Sequence, residues 1–159
     1  MIGFCGLLCL LILSPPFLAT HSYSASAALI YLLFSPICHQ LPERSFHFFG
    51  YPLAVCHRCT GIYFGLFLGM LLPAGKSPQF GSPLSRRLFV FCICIPMLLD
   101  VSLPSLGIWN GTPLTRFATG LIFGSSSAFL LALAFSEFTA ENSLNGFLSH
   151  CAQSKGANL

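Results

Sequence analysis

Residues 115–135, TRFATGLIFGSSSAFLLALAF, decide the fold class. Their one charge is Arg116, near the beginning, and everything after it is apolar or small. About 20 mostly apolar residues, rising 1.5 Å each as a helix, cross a hydrocarbon core roughly 30 Å thick. This stretch therefore reads as a transmembrane helix. Three others read the same way, at about 2–19, 55–73 and 88–104. The first of them carries Pro15 and Pro16 near its end and has the length of a signal peptide. Its first four residues contain no Lys or Arg, so the basic n-region of a signal peptide is missing and an uncleaved anchor is expected. The segment 25–37, ASAALIYLLFSPI, is apolar but would reach only about 20 Å as a helix. It reads as an interfacial or re-entrant helix ending at Pro36. The expected fold is an all-α transmembrane helical bundle of about four spans plus this short helix. The chain divides into a first helix or signal anchor at 1–24, a membrane domain at 25–135 and a polar C-terminal tail at 136–159, which should fray.

Composition gives the same class. The 159 residues are 55% hydrophobic and only 7% charged, with a mean hydropathy of +0.80. Soluble domains carry about 25% charged residues, and a chain so poor in charge could not cover a water-facing surface. The lipid bilayer is its partner, and a multi-pass place in a membrane is its expected location. A scattered net charge of +3 gives no basis for binding nucleic acid. Residues 38–54 are mixed polar and aromatic and read as a loop. The 74–87 loop holds Lys76, Arg86 and Arg87 with no acid, which places it in the cytoplasm by the positive-inside rule. The 20–54 and 105–114 loops then face outward.

The second and fourth helices carry Gly61, Gly65 and Gly69, and Gly120, Gly124 and Ala128. Small residues four apart make a smooth face along which helix backbones approach closely in lipid. Such seams fit packing within one chain or between the chains of a homo-oligomer. Residues 60–65, TGIYFG, also resemble residues 119–124, TGLIFG, as in a parallel repeat of helix pairs.

Four residues carry the chemistry: Cys38, His39, Cys56 and Cys59. Residues three apart share a helix face, so Cys56 and Cys59 can address one site. Thiolates and imidazoles are the usual ligands of zinc, four of them closing a tetrahedral site. Adjacent ligands such as Cys38 and His39 strain a single site, and His57 or His47 could replace one of them. A c-type haem is disfavoured because Thr60, not His, follows Cys59. The alternative is a thiol–disulfide oxidoreductase in which Cys56 and Cys59 form the redox pair and Cys38 exchanges with it. Plain packing of small thiols is the third reading, and it suffices for Cys5, Cys9, Cys92, Cys94 and Cys151.

Asp100, inside or at the end of the third helix, should be paired, with Arg58 or Arg116 as its partner. Glu43 and Arg44 lie in the loop between the cysteine motifs. With four spans, Cys38, His39, Glu43, Arg44, Cys56, Arg58, Asp100 and Arg116 all fall on the same membrane face. Arginines there would suit an anion such as a phosphate or a lipid headgroup.

CHQLPERSF at 38–46 and VCHRCTGIYFG at 55–65 resemble the motifs of a family of bacterial and archaeal multi-pass membrane proteins, domain of unknown function 2085. Asp100 and the NGTPLTRFATG stretch, with Arg116, Thr119 and Gly120, resemble its later motif. The resemblance covers roughly 25–130. It implies a multi-pass membrane protein and supplies no activity.

Overall fold

The structure, a computed structural model, describes residues 2–71, 83–109 and 111–156. Helix α1 (Ile2–Thr20) continues through Pro15 and Pro16, both buried. Helix α2 (Ser24–Phe34) is the short apolar segment expected from the sequence. Its ladder stops where Pro36 has no N–H to offer, and Ile37 and Cys38 both donate their N–H to the Phe34 carbonyl.

Residues 45–56, expected as a loop running into a helix, instead form an antiparallel hairpin of β1 (Ser45–Phe48) and β2 (Tyr51–Cys56). Phe49 (φ 53°) and Gly50 (φ 82°) make the two-residue turn, both in the left-handed region that such hairpins require. The pairing runs Phe48 to Tyr51 and His47 to Pro52, then slips so that Ser45 faces Cys56. That irregularity breaks the alternation of faces, and Leu53, Ala54 and Val55 are buried in succession.

Helix α3 (His57–Leu71) follows β2 directly, so it starts two residues later than the sequence suggested. Its 15 described residues reach about 22 Å. Three helical segments are long and apolar enough to span a bilayer: Ile2–Thr20, Leu88–Ser105 within α4 (Pro83–Ser105), and Pro113–Phe135 within α5 (Pro113–Gly156). The fold is all-α apart from the hairpin, with about three spans among the described residues rather than about four. Most of the 74–87 loop, on which the orientation rests, lies outside the described residues.

Helix α5 begins with Pro113 at its first position and Thr112 capping it. The Thr115 N–H donates to Thr112 Oγ1 at 3.2 Å, and the Thr112 N–H donates to Thr115 Oγ1 at 2.9 Å. This is a reciprocal capping box with threonine in the usual Glu position. The helix then runs to Gly156, where a fraying tail was expected. No proline interrupts 136–156.

The two small-residue seams face each other within the chain. A Cβ added at Gly61 would collide with the Phe117 carbonyl and the Leu121 nitrogen, and one at Gly120 would collide with the Arg58 carbonyl and the Ile62 nitrogen. Both sets of partners are related by the same shift of 59 residues that relates TGIYFG to TGLIFG. Gly65 meets Leu121 and Ser125, and Gly69 meets Ser125 and Ala128, so the contacts advance together along both helices. Helices α3 and α5 are parallel and related by a local twofold. The seams are thus filled within one chain.

Helix α1 packs against β2, α2 and α3. It supplies Ile12 to a core of Phe34, Cys38, Leu53, Ala54 and Val55. Large apolar side chains along α1, α4 and α5 point outward, among them Phe4, Leu10, Phe91, Leu98 and Phe135, as a lipid-facing surface requires.

Candidate metal centre

The core just described stands directly behind three sulfurs. Cys38 is part of it, and Cys56 and Cys59 pack against it. The Sγ atoms of Cys38, Cys56 and Cys59 all lie within 4.8 Å of one another. Three local features bring them together. Cys38 sits just beyond α2, held by its N–H bond to Phe34. Cys56 ends β2, and its N–H donates to Cys38 Sγ at 3.3 Å. Cys59 lies on the first turn of α3, three residues on.

The turn after Cys38 is fixed by a residue that sequence reasoning did not single out. Gln40 takes a left-handed φ of 50°. Its Nε2 donates to the Tyr31 carbonyl at 2.7 Å and the Ala54 carbonyl at 2.8 Å, tying α2 to β2. The signal was present in the motif CHQ, where a long amide beside two metal-type ligands can only be structural or polar lining. Hydrogen bonds from the Cys56 and Cys59 side chains, with backbone N–H groups of Cys56 and Gln40, hold the Cys38 thiol well below its ordinary range, against the opposing effect of burial. The thiolate is the form in which a cysteine binds a metal.

A cavity of about 360 Å³ opens beside the sulfurs. Cys38, His39, Gln40, Arg44, Cys56, Arg58, Cys59 and Arg116 line it, together with apolar Ile37, Leu41, Val101 and Pro104. His39 is exposed and lines the cavity, yet its ring does not join the sulfur group. The two other candidate histidines are also elsewhere. His57 is buried with its ring edge-on to Phe46, centroids 4.3 Å apart. His47 is exposed on β1, paired with Pro52. Glu43 is exposed on the short 3-10 turn Pro42–Arg44 and does not line the cavity.

Asp100 has the partner expected of it. It is 4% exposed and accepts from Arg58, with Nε at 2.8 Å from Oδ2 and Nη2 also in contact with Oδ2. Arg58 Nη2 donates to the Asp100 backbone carbonyl as well, at 2.8 Å. A carboxylate near the C-terminal end of α4 opposes the helix dipole, and the guanidinium offsets both charges. The pair joins the first turn of α3 to α4. Arg116, from the first turn of α5, completes the wall.

The residues that build this site lie within a match to a known family. Proteins described as predicted membrane proteins, DUF2085, match residues 38–130. The chain belongs to that family. It is 34% identical over 108 residues to an uncharacterized protein of Methanocaldococcus jannaschii, covering 68% of this chain and 69% of that one. It is 33% identical over 102 residues to an uncharacterized protein of Methanothermobacter thermautotrophicus, covering 64% of this chain and 90% of that one. No solved structure matches. Membership in the family and three helices of spanning length make this an integral membrane protein. The matched region begins at Cys38 and takes in all three sulfurs, Asp100 and Arg116. Helices α1 and α2 lie ahead of it.

The three sulfurs fit a thiolate-bound metal. Zinc–sulfur bonds of about 2.3 Å at tetrahedral angles put ligand sulfurs roughly 3.8 Å apart, so a group within 4.8 Å closes with a shift of about an ångström. The N–H of Cys56 directed at Cys38 Sγ is the outer hydrogen bond such ligands usually receive.

Proposed function

We propose that this protein holds a zinc ion at one membrane face, with Cys38, Cys56 and Cys59 as ligands. The observation that carries the reading is the convergence of three sulfurs from two segments, beyond α2 and at the β2–α3 junction, to within 4.8 Å. Three packed thiols in an apolar core need no such approach, and Cys5, Cys9, Cys92 and Cys94 make no comparable group among the described residues. Thiolates favour zinc and other soft ions over magnesium or calcium. Bound there, the metal would act as a Lewis acid toward a ligand in the cavity and would lock α2, the hairpin and α3 to one another. A site of this kind at the mouth of a parallel helix pair suits a transport-type membrane protein whose entrance is ordered by metal.

Metal analysis of detergent-purified protein, prepared under reduction, is the test. It should find about one zinc per chain, falling to background in Cys38→Ser and in Cys59→Ser. Metal-free protein that, when prepared without reductant, carries a reducible Cys56–Cys59 bond would overturn the reading in favour of thiol–disulfide exchange.

A further inference from the structure

The three sulfurs leave a tetrahedral metal one ligand short. Among the described Cys, His, Asp and Glu residues no fourth donor joins them. All three cysteines line the cavity, and the cavity wall has a definite charge. Arg44, Arg58 and Arg116 contribute three cationic groups, and Asp100 offsets one of them through its pair with Arg58. Three thiolates around a divalent ion carry one net negative charge. The assembled wall therefore retains a single positive charge, the complement of a monoanion. The wall is also of mixed character. Guanidinium groups, which bind phosphate oxygens in pairs, share the lining with the apolar side chains of Ile37, Leu41, Val101 and Pro104. The last two belong to α4, one of the segments of spanning length.

We infer that the cavity binds a phosphate monoanion, one oxygen completing the metal's coordination and the others meeting the guanidinium groups, with Arg44 as the principal contact. The inference rests on the metal reading above. A phosphodiester headgroup carries one negative charge and two acyl chains, matching both the residual charge and the apolar wall. Inorganic phosphate offers the same oxygens without the chains. Arg44 is exposed at the cavity and has no ion-pair partner among the described residues, so its guanidinium is available for the anion.

Cobalt substitution separates the possibilities. The visible bands of thiolate-bound Co²⁺ report its fourth ligand. Cobalt-loaded protein in detergent would be titrated with inorganic phosphate, and loaded protein would be reconstituted into vesicles of phosphatidylglycerol or of an uncharged galactolipid. The expected result is a band shift with phosphatidylglycerol and none with galactolipid. Arg44→Gln should weaken phosphate binding about ten- to a hundredfold, the range expected for one hydrogen bond to a charged group. A shift with inorganic phosphate but not with phosphatidylglycerol would support the ligand chemistry and assign a soluble source. Bands that ignore both probes but change in His39→Ala would overturn the inference, since His39 would then be the fourth ligand while the metal reading stood. Failure of the wild-type protein to bind cobalt through its thiols would remove the metal site itself.

Discussion

Replacing Gly65 by alanine tests the parallel pairing of α3 and α5, on which the placement of the cavity depends. The added methyl carbon would lie 2.8 Å from the Ser125 nitrogen and 3.1 Å from the Gly124 Cα, and closer still to the Leu121 carbonyl oxygen. Ordinary contact begins at 3.4 Å, so the two backbones must part by at least 0.6 Å at this crossing. Backbone atoms cannot turn aside as a flexible side chain can. A gap of about 0.5–1 Å forfeits a quarter to a half of each dispersion contact along the seam, and overpacking of this kind typically costs about 1–3 kcal/mol. Against that stands roughly 1 kcal/mol gained by placing Ala in a helix in place of Gly. With rigid partners on both sides, the upper part of the range applies, and the net loss should be about 2 kcal/mol. Gly124→Ala, its counterpart across the local twofold, should cost a similar amount. Gly3, on α1 with nothing within 4 Å of an added Cβ, provides the control and should be neutral or slightly stabilised as Ala. Thermal unfolding in detergent, followed by circular dichroism, reads all three. If Gly65→Ala melts with Gly3→Ala, the seam is not a close backbone contact and the pairing is wrong.

Asp100→Asn keeps the shape of the side chain and removes its charge, leaving Arg58 uncompensated. Breaking a buried pair costs roughly 3–5 kcal/mol. Arg58 retains 22% exposure, so a loss nearer 2–3 kcal/mol is expected in the same assay, and Arg58→Gln added to it should restore part of that loss; strictly additive losses would show that the two residues are not coupled. For Cys38 the direction of its shift sets a pH dependence. An unfolded thiol titrates near about 8.5, whereas Cys38 in the fold titrates far lower, so between the two the unfolded chain binds the extra proton. Its contribution is fully present above about pH 8.5 and is lost as pH falls toward the folded value. Metal-free, reduced protein should therefore gain stability from pH 6 to 8.5, and Cys38→Ser should flatten that rise; an equal slope in the variant would show that Cys38 is an ordinary thiol.

Much of this arrangement was legible in the sequence because lipid imposes long uninterrupted apolar runs. The segments at 2–19, 88–104 and 115–135 each meet that requirement alone, and each falls in a helix long and apolar enough to span. The glycine seam was legible for a related reason: a residue with no side chain at every fourth position has few purposes in a helix except close approach. The pairing of Asp100 with an arginine followed from the cost of an isolated charge at that depth. The hairpin at 45–56 was not legible. Its turn uses Phe49 at positive φ, a residue that gives no turn signal, and the slip in register buries Leu53, Ala54 and Val55 consecutively, which hides the period of two. Missing the hairpin moved the apparent start of α3 into β2. It also hid the role of Gln40, whose two hydrogen bonds make sense only with Tyr31 and Ala54 side by side.

The local twofold explains why thiols and arginines meet at the same level. Under the 59-residue shift that superposes the seams, Cys56 corresponds to Thr115, His57 to Arg116 and Cys59 to Ala118. The frame is symmetric to the level of single atoms, down to Thr60 and Thr119, each donating its hydroxyl to the carbonyl four residues earlier. The chemistry on that frame is not symmetric. The β2–α3 junction delivers two sulfurs, Cys56 and Cys59, and α5 delivers Arg116 at the equivalent height. A parallel pair is the arrangement that sets both helix beginnings at one end; an antiparallel pair would separate them by the length of the seam, about 20 Å or more. The remaining groups arrive from outside the pair. Cys38 is carried in by α2 and held by the hairpin, Asp100 by the end of α4. The glycines thus do more than allow tight packing: by fixing both the direction and the register of α3 against α5, they set the distance between the sulfurs at the start of α3 and the arginine at the start of α5.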